Sequence, residues 1–228
     1  MGYQTRPFGT GPTSIGFQRS AHIRFRGDGG FPQRRSADSK SSAVKLLLSR
    51  VTENYPMPKP LPWLPRGAPA KRVSLRWLGV VDSSVLVAAV VSSHPQSPNR
   101  EVVELALVDV FVMGVSDYIR SEVEGTLLED FGLTQEQIDA VLSPIWRVAR
   151  WLEPVPETPE LRAAIKDPND RPILQAAIGA YSIPELAPLP EKYLISENTT
   201  HFKPGRNHYG FECITSGGFL ADIRRATR

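Results

Sequence analysis

Between Tyr55 and Pro69 six prolines fall at positions 56, 58, 60, 62, 65 and 69. Each ring fixes φ near about −65° and removes a backbone donor, so this stretch is barred from helix and favours an extended linker. That barrier divides the 228-residue chain, and the charges divide at nearly the same place. Residues 1–78 hold 14 Lys and Arg against three acids (Asp28, Asp38, Glu53), a net +11. The remaining 150 residues hold 13 basic and 21 acidic groups, a net −8 hidden in the overall +3.

The basic portion is expected to be disordered over residues 1–75. Residues 1–40 are rich in Gly, Arg, Ser and Phe with neither strand nor helix periodicity, and offer too little apolar surface to offset ordering entropy. Ala43 to Val51 alone has the spacing of a short amphipathic helix. The Gly9 to Gly16 stretch lacks the spacing and the preceding strand of a dinucleotide loop. Two readings stay open for this segment: a phosphate-gripping arm, or an Arg-, Gly- and Pro-rich leader without a role.

Residues 76–228 are the size of one domain, since domains most often run to about 100–150 residues. The longest apolar run is Val85 to Val91, far below the ~20 residues of a membrane helix. No membrane association is expected. Met1 to Ser20 has no secretory pattern, and a lone Cys213 with no zinc-ligand spacing fits a reducing compartment, so a cytoplasmic location is expected.

From Trp77 the pattern alternates. Trp77 to Val81, Val110 to Val115, Leu152 to Val155, Tyr193 to Ile195 and Cys213 to Thr215 read as short buried strands. Helices are expected over Ser84–Ser93, Asn99–Val108 with Asn99 as N-cap, Ser116–Asp130, Thr134–Trp151 bent or interrupted at Pro144, Glu160–Ile165, Arg171–Tyr181 and Phe219–Arg225. Strands separated by helices indicate an α/β fold with a mainly parallel sheet, whose crevice lies beyond the carboxyl ends of the strands.

Polar residues placed at that edge are Asp82, Glu122, Asp170 and the Glu197–Asn198 pair. Converging carboxylates repel unless a cation neutralises them, and Mg²⁺ or Mn²⁺ prefers oxygen ligands. Such an ion can polarise a phosphodiester and lower the pKa of water without a protein nucleophile. Each acid also has an ordinary reading: Asp82 as a helix cap, Glu122 or Glu124 as a solvated helix face, Asp167 and Asp170 as turn and cap residues. His201 and His208, beside Lys203 and Arg206, read as crevice-edge phosphate contacts or surface loop. Asn198-Thr-Thr200 matches a glycosylation sequon without a secretion signal to give it meaning. Trp146 and Trp151 read as packing residues.

Taken in order, the segments Val80-Val81-Asp82-Ser83-Ser84-Val85-Leu86, Ser116 to Leu127, Asp170-Arg-Pro-Ile-Leu-Gln-Ala-Ala177 and Leu194-Ile-Ser-Glu-Asn198-Thr-Thr-His-Phe202 resemble the four motifs of the PIN domain. This is the metal-dependent nuclease fold of VapC-type toxins and related ribonucleases. The resemblance spans residues 79–225. It implies a three-layer fold with an about five-stranded, mainly parallel sheet flanked by helices. It also implies Mg²⁺- or Mn²⁺-dependent cleavage of RNA, a cognate antitoxin as partner, and a homodimer. Asp82, Glu122 and Asp170 stand where the family's metal ligands stand, with Glu122 a ligand or the base for the attacking water. Ser83, Ser196 and Asn198 would orient water or a carboxylate, and Glu197 competes with Asn198 for the fourth acidic position. Asn198 removes a charge where Asp is usual, Ser196 keeps the hydroxyl of the usual Thr, and Ile183 to Glu191 is longer and richer in Pro than the family's turn. A degenerate, non-catalytic assembly module and a processing nuclease outside any toxin pair remain as alternatives.

Overall fold

The computed structural model describes residues 77–94 and 96–227. The expected disordered tail, the Ala43 to Val51 helix and the proline linker lie outside the described residues. Six strands form one sheet: β1 (Trp77–Val81), β2 (Val112–Val115), β3 (Arg150–Trp151), β4 (Glu191–Ile195), β5 (Asn207–His208) and β6 (Phe211–Ile214), in the spatial order β3-β2-β1-β4-β6-β5. Seven α-helices accompany them among the described residues: α1 (Ser83–Val91), α2 (Pro98–Leu107), α3 (Asp117–Glu129), α4 (Gln135–Val148), α5 (Pro159–Ala164), α6 (Arg171–Gly179) and α7 (Ser216–Ala226).

Five strands run parallel, and β5 alone is antiparallel, on β6. The sequence reading of about five strands lacked β5, a two-residue strand too short to carry periodicity. Its hairpin turns on Tyr209 and Gly210, with φ of +52° and +85°, and Gly210 N donates to Asn207 Oδ1. Positive φ at both central residues is what a two-residue hairpin loop needs.

The central strands are continuous apolar runs because both sheet faces are covered. All of β1 is buried, and Leu78, Val80 and Val81 are fully enclosed. Large rings fill the layer under α7, where Phe219 meets Phe111 and Tyr193 edge-on at centroid distances of 4.8 and 5.3 Å. Phe202 and Phe211 extend the same core.

Helix ends follow the local chemistry closely. Ser116 accepts from Ile119 N, and Thr134 with Gln137 forms a complete capping box. Three boundaries differ from expectation. Ser97, not Asn99, occupies the N-cap of α2, because Pro98 takes the first helical position. Pro144 does not interrupt α4, whose buried face of Ile138, Val141, Leu142 and Ile145 holds it continuous. The third strand is Arg150–Trp151 and not Leu152 to Val155, because the chain leaves the sheet after Leu152 and Val155 instead exchanges two hydrogen bonds with Gln175 of α6. Trp151 is correspondingly exposed but packs its ring on Trp146 of α4 at a centroid distance of 5.9 Å, and Trp146 is half-buried against the core.

The sheet places one location apart from the rest. Chain order departs from β1 toward β2 on one side and meets β4 on the other, so the strand order reverses between β1 and β4. Ligands of open parallel sheets bind beyond the carboxyl ends at such a point.

Candidate active site

Asp82 follows β1 directly and Ser196 follows β4, so both stand at this reversal. Asp82 N continues the ladder by donating to Ile195 O at 3.0 Å. Asp82 occupies the N-cap position of α1, yet its side chain makes no capping bond. Its buried carboxylate instead accepts from Ser83 Oγ at 3.2 Å, from Ser84 Oγ at 2.8 Å, and from Ser196 Oγ across the sheet. Three hydroxyls hold a charged group in one orientation, which a mere helix cap does not need.

Asp170 repeats this arrangement at the start of α6, where it too stands at the N-cap without a capping bond. Its carboxylate accepts from Asn198 Nδ2 at 3.3 Å and is in direct contact with His201 Nδ1. Asn198 and His201 reach the same acid because residues 198–202 form one turn, with His201 N and Phe202 N both donating to Asn198 O. Positions three apart on such a turn lie on one side, and buried Phe202 anchors the turn in the core.

Glu122 approaches from the second turn of α3. Its Oε2 is buried without a hydrogen-bond partner. Burial first, then the Asp82 charge, pushes the Glu122 carboxyl up to about 7, while the Ser83 hydroxyl and more distant acids adjust the balance. Asp170 is pushed up to about 6, again mainly by burial, with the His201 ring opposing and the Asp82 charge adding to the rise. Tyr118 feels the same acids: its phenol is pushed above the ordinary range by burial and then by Glu122, Asp170, Asp82 and Asp167. Its hydroxyl donates to Asn169 O at 2.8 Å, which ties α3 to the turn before α6.

The expected residues therefore separate into those that meet and those that do not. Ser83 and Ser196 gather on Asp82 and Asn198 on Asp170, and Asp82, Glu122 and Asp170 act on one another electrostatically, while the ligand atoms of Asp82 and Glu122 stand outside the tight group of Asp167, Asp170 and His201. Glu197 turns away, its Oε1 accepting from Ser216 N at the start of α7. Glu124, the competitor of Glu122, pairs with Arg120 at 2.7 Å on the outer face of α3. His208 is buried in β5 and is no surface-loop residue.

Two residues given other readings in the sequence belong to the cluster. Asp167 closes the turn before α6, its Oδ1 accepting from Asn169 N at 2.9 Å, while its Oδ2 lies 3.8 Å from His201 Nδ1. Asp167, Asp170 and His201 offer ligand atoms within 4.8 Å of one another. The signals for them were present: the three-residue step from Asp167 to Asp170, and the three-residue step from Asn198 to His201 ahead of an apolar anchor.

The family model described as PIN domain matches residues 79–182. The PIN domain match includes Asp82, Glu122, Asp167 and Asp170, and ends before Ser196, Asn198 and His201. The sheet continues beyond it, because β4 lies directly against β1. No curated protein and no solved structure matches the chain. Among the described residues, no helix is long and apolar enough to cross a membrane.

The donor set fits a divalent cation. All of its acids offer oxygen, two are held at raised pKa by burial and mutual repulsion, and Glu122 Oε2 has nothing to neutralise it.

Proposed function

We propose that this protein is a Mg²⁺- or Mn²⁺-dependent nuclease that hydrolyses phosphodiester bonds of RNA, and that it acts as the toxin of a toxin-antitoxin pair. The observation that carries the nuclease reading is the crevice of Asp82, Glu122 and Asp170 at the β1/β4 reversal, with a buried carboxylate oxygen left unpaired. The PIN domain match over residues 79–182 supports the hydrolytic class. RNA and a cognate antitoxin are drawn from the resemblance of the four motifs to VapC-type proteins, as is a homodimer.

In this reading Asp82 and Asp170 are the direct ligands, with Glu122 as a third ligand or as the base. A bound divalent cation supplies neutralisation of the cluster and a lowered pKa for water. The three serines hold Asp82 in a fixed orientation, and Asn198 does the same for Asp170. In this reading Glu122 Oε2 would take the proton of the attacking water as its oxygen joins phosphorus and would return a proton to the departing sugar oxygen. No side-chain nucleophile is required.

One observation favours the degenerate alternative: an amide at Asn198 and the ring of His201 already contact Asp170. Cleavage of end-labelled RNA by the full chain decides between them. Activity restored by Mg²⁺ or Mn²⁺, removed by EDTA and lost in Asp82→Asn is the expected result. An Asp82→Asn chain with full metal-dependent cleavage refutes the metal site, and a folded wild-type chain inert in both metals supports the degenerate reading. Growth arrest on expression, rescued by the neighbouring gene, tests the toxin role.

A further inference from the structure

We infer that His201 is a nitrogen ligand of the metal centre and that it makes the site select Mn²⁺ over Mg²⁺. The inference rests on the proposed metal dependence and goes beyond it by naming a ligand and a preference that the acids alone do not give.

His201 faces two carboxylates at once. Its Nδ1 contacts Asp170 Oδ2 directly and lies 3.8 Å from Asp167 Oδ2. These three residues are the group whose ligand atoms fall within 4.8 Å of one another, and Asp170 is also coupled electrostatically to Asp82 and Glu122. The ring is not there by chance of a loose loop. Backbone bonds from His201 N and Phe202 N to Asn198 O fix the turn, and the Phe202 side chain is buried. Asn198 on the same turn occupies the position where the resemblance expects a carboxylate, so the turn has lost one oxygen ligand and presents an imidazole three residues later.

That exchange has a chemical consequence. Mg²⁺ demands oxygen donors in near-ideal octahedral geometry and gives up water reluctantly, whereas imidazole suits transition metals. Replacing an anionic oxygen by a neutral nitrogen weakens binding of Mg²⁺ more than of Mn²⁺. A half-buried histidine–aspartate pair that merely ties the 198–202 turn to α6 would show no such preference.

The test uses the full chain loaded with Mn²⁺ or Mg²⁺ and reads binding, not cleavage. Electron spin-echo modulation of bound Mn²⁺ should show coupling to a directly ligated ¹⁴N, and titration calorimetry should show tighter binding of Mn²⁺ than of Mg²⁺. His201→Ala should abolish the coupling and narrow the preference by about 10-fold or more, the scale on which disturbing a ligand's surroundings already changes affinity. His201→Asp restores an all-oxygen set and should shift the balance toward Mg²⁺ while keeping a binding site, which guards against simple misfolding of the alanine variant. Mn²⁺ bound without ¹⁴N coupling, or equal preference in all three proteins, overturns the role of His201 and leaves metal dependence standing. Failure of the wild-type chain to bind either ion overturns both.

Discussion

Replacing Glu122 by Gln should stabilise the metal-free protein, and the effect should depend on pH in a defined direction. Glu122 rises from 4.5 to about 7 on folding, a displacement equivalent to about 3 kcal/mol at 1.36 kcal/mol per pKa unit. Water reaching the crevice reduces this, so about 2 kcal/mol is a working value. The sign follows from proton binding. Below 4.5 both states carry a neutral carboxyl and the group contributes no penalty. Between 4.5 and about 7 the unfolded chain releases its proton while the folded chain retains it, so wild-type stability falls as pH rises; above about 7 the full penalty is present. Asp170, raised to about 6, adds to the same slope. Urea unfolding in EDTA at pH 5 and pH 8 measures this directly. Glu122→Gln should match wild type near pH 5 and exceed it at pH 8. With millimolar Mn²⁺ the order should reverse, since the cation stabilises the carboxylate by binding the folded state. A Glu122→Gln protein less stable than wild type in EDTA at pH 8 would refute the account of Glu122 as an uncompensated buried acid.

Four further outcomes are expected. Gly179→Ala at the end of α6 places a Cβ 1.9 Å from Glu153 O, a backbone atom that cannot step aside, and should cost at least about 1–3 kcal/mol. Gly125→Ala in α3 meets nothing within 4 Å and should gain about 0.5–1 kcal/mol; denaturation midpoints check both. Thr134→Ala removes one arm of the α4 capping box and should lower stability by about 1 kcal/mol without altering metal binding. Deleting residues 1–70 should weaken RNA binding and flatten its salt dependence, because the removed segment carries most of the basic excess; affinity and salt dependence unchanged from those of the full chain would leave that segment without a role.

The alternation of apolar runs with helical periodicity made the layered fold legible, because strands buried on both faces leave continuous apolar segments and their C-terminal residues mark the crevice. Asp82 was readable for that reason. What was not legible came from contacts between distant segments. The serines on Asp82 come from α1 and from the end of β4, and nothing in Ser196 alone announces a partner 114 positions away. Likewise Leu152 to Val155 has strand propensity, yet Gln175 draws Val155 off the sheet. Propensity yielded to a side chain from another element.

The same distinction separates the acids by environment. Glu122 and Glu124 are two positions apart on α3, and only the motif resemblance favoured Glu122, since composition and helix spacing left either as a solvated face. The fold makes the choice: the outer face lets Arg120 neutralise Glu124, whereas the inner face delivers Glu122 to Asp82 and Asp170 with one oxygen bare. Asp82 carries its charge among three hydroxyl donors and Asp170 against a ring nitrogen and an amide. A crevice that satisfies two of its acids and starves the third is not explained by stability, because protein interiors rarely leave a buried carboxylate oxygen unpartnered. The divalent cation proposed above would supply the missing partner, since its ligand chemistry matches this set of oxygens.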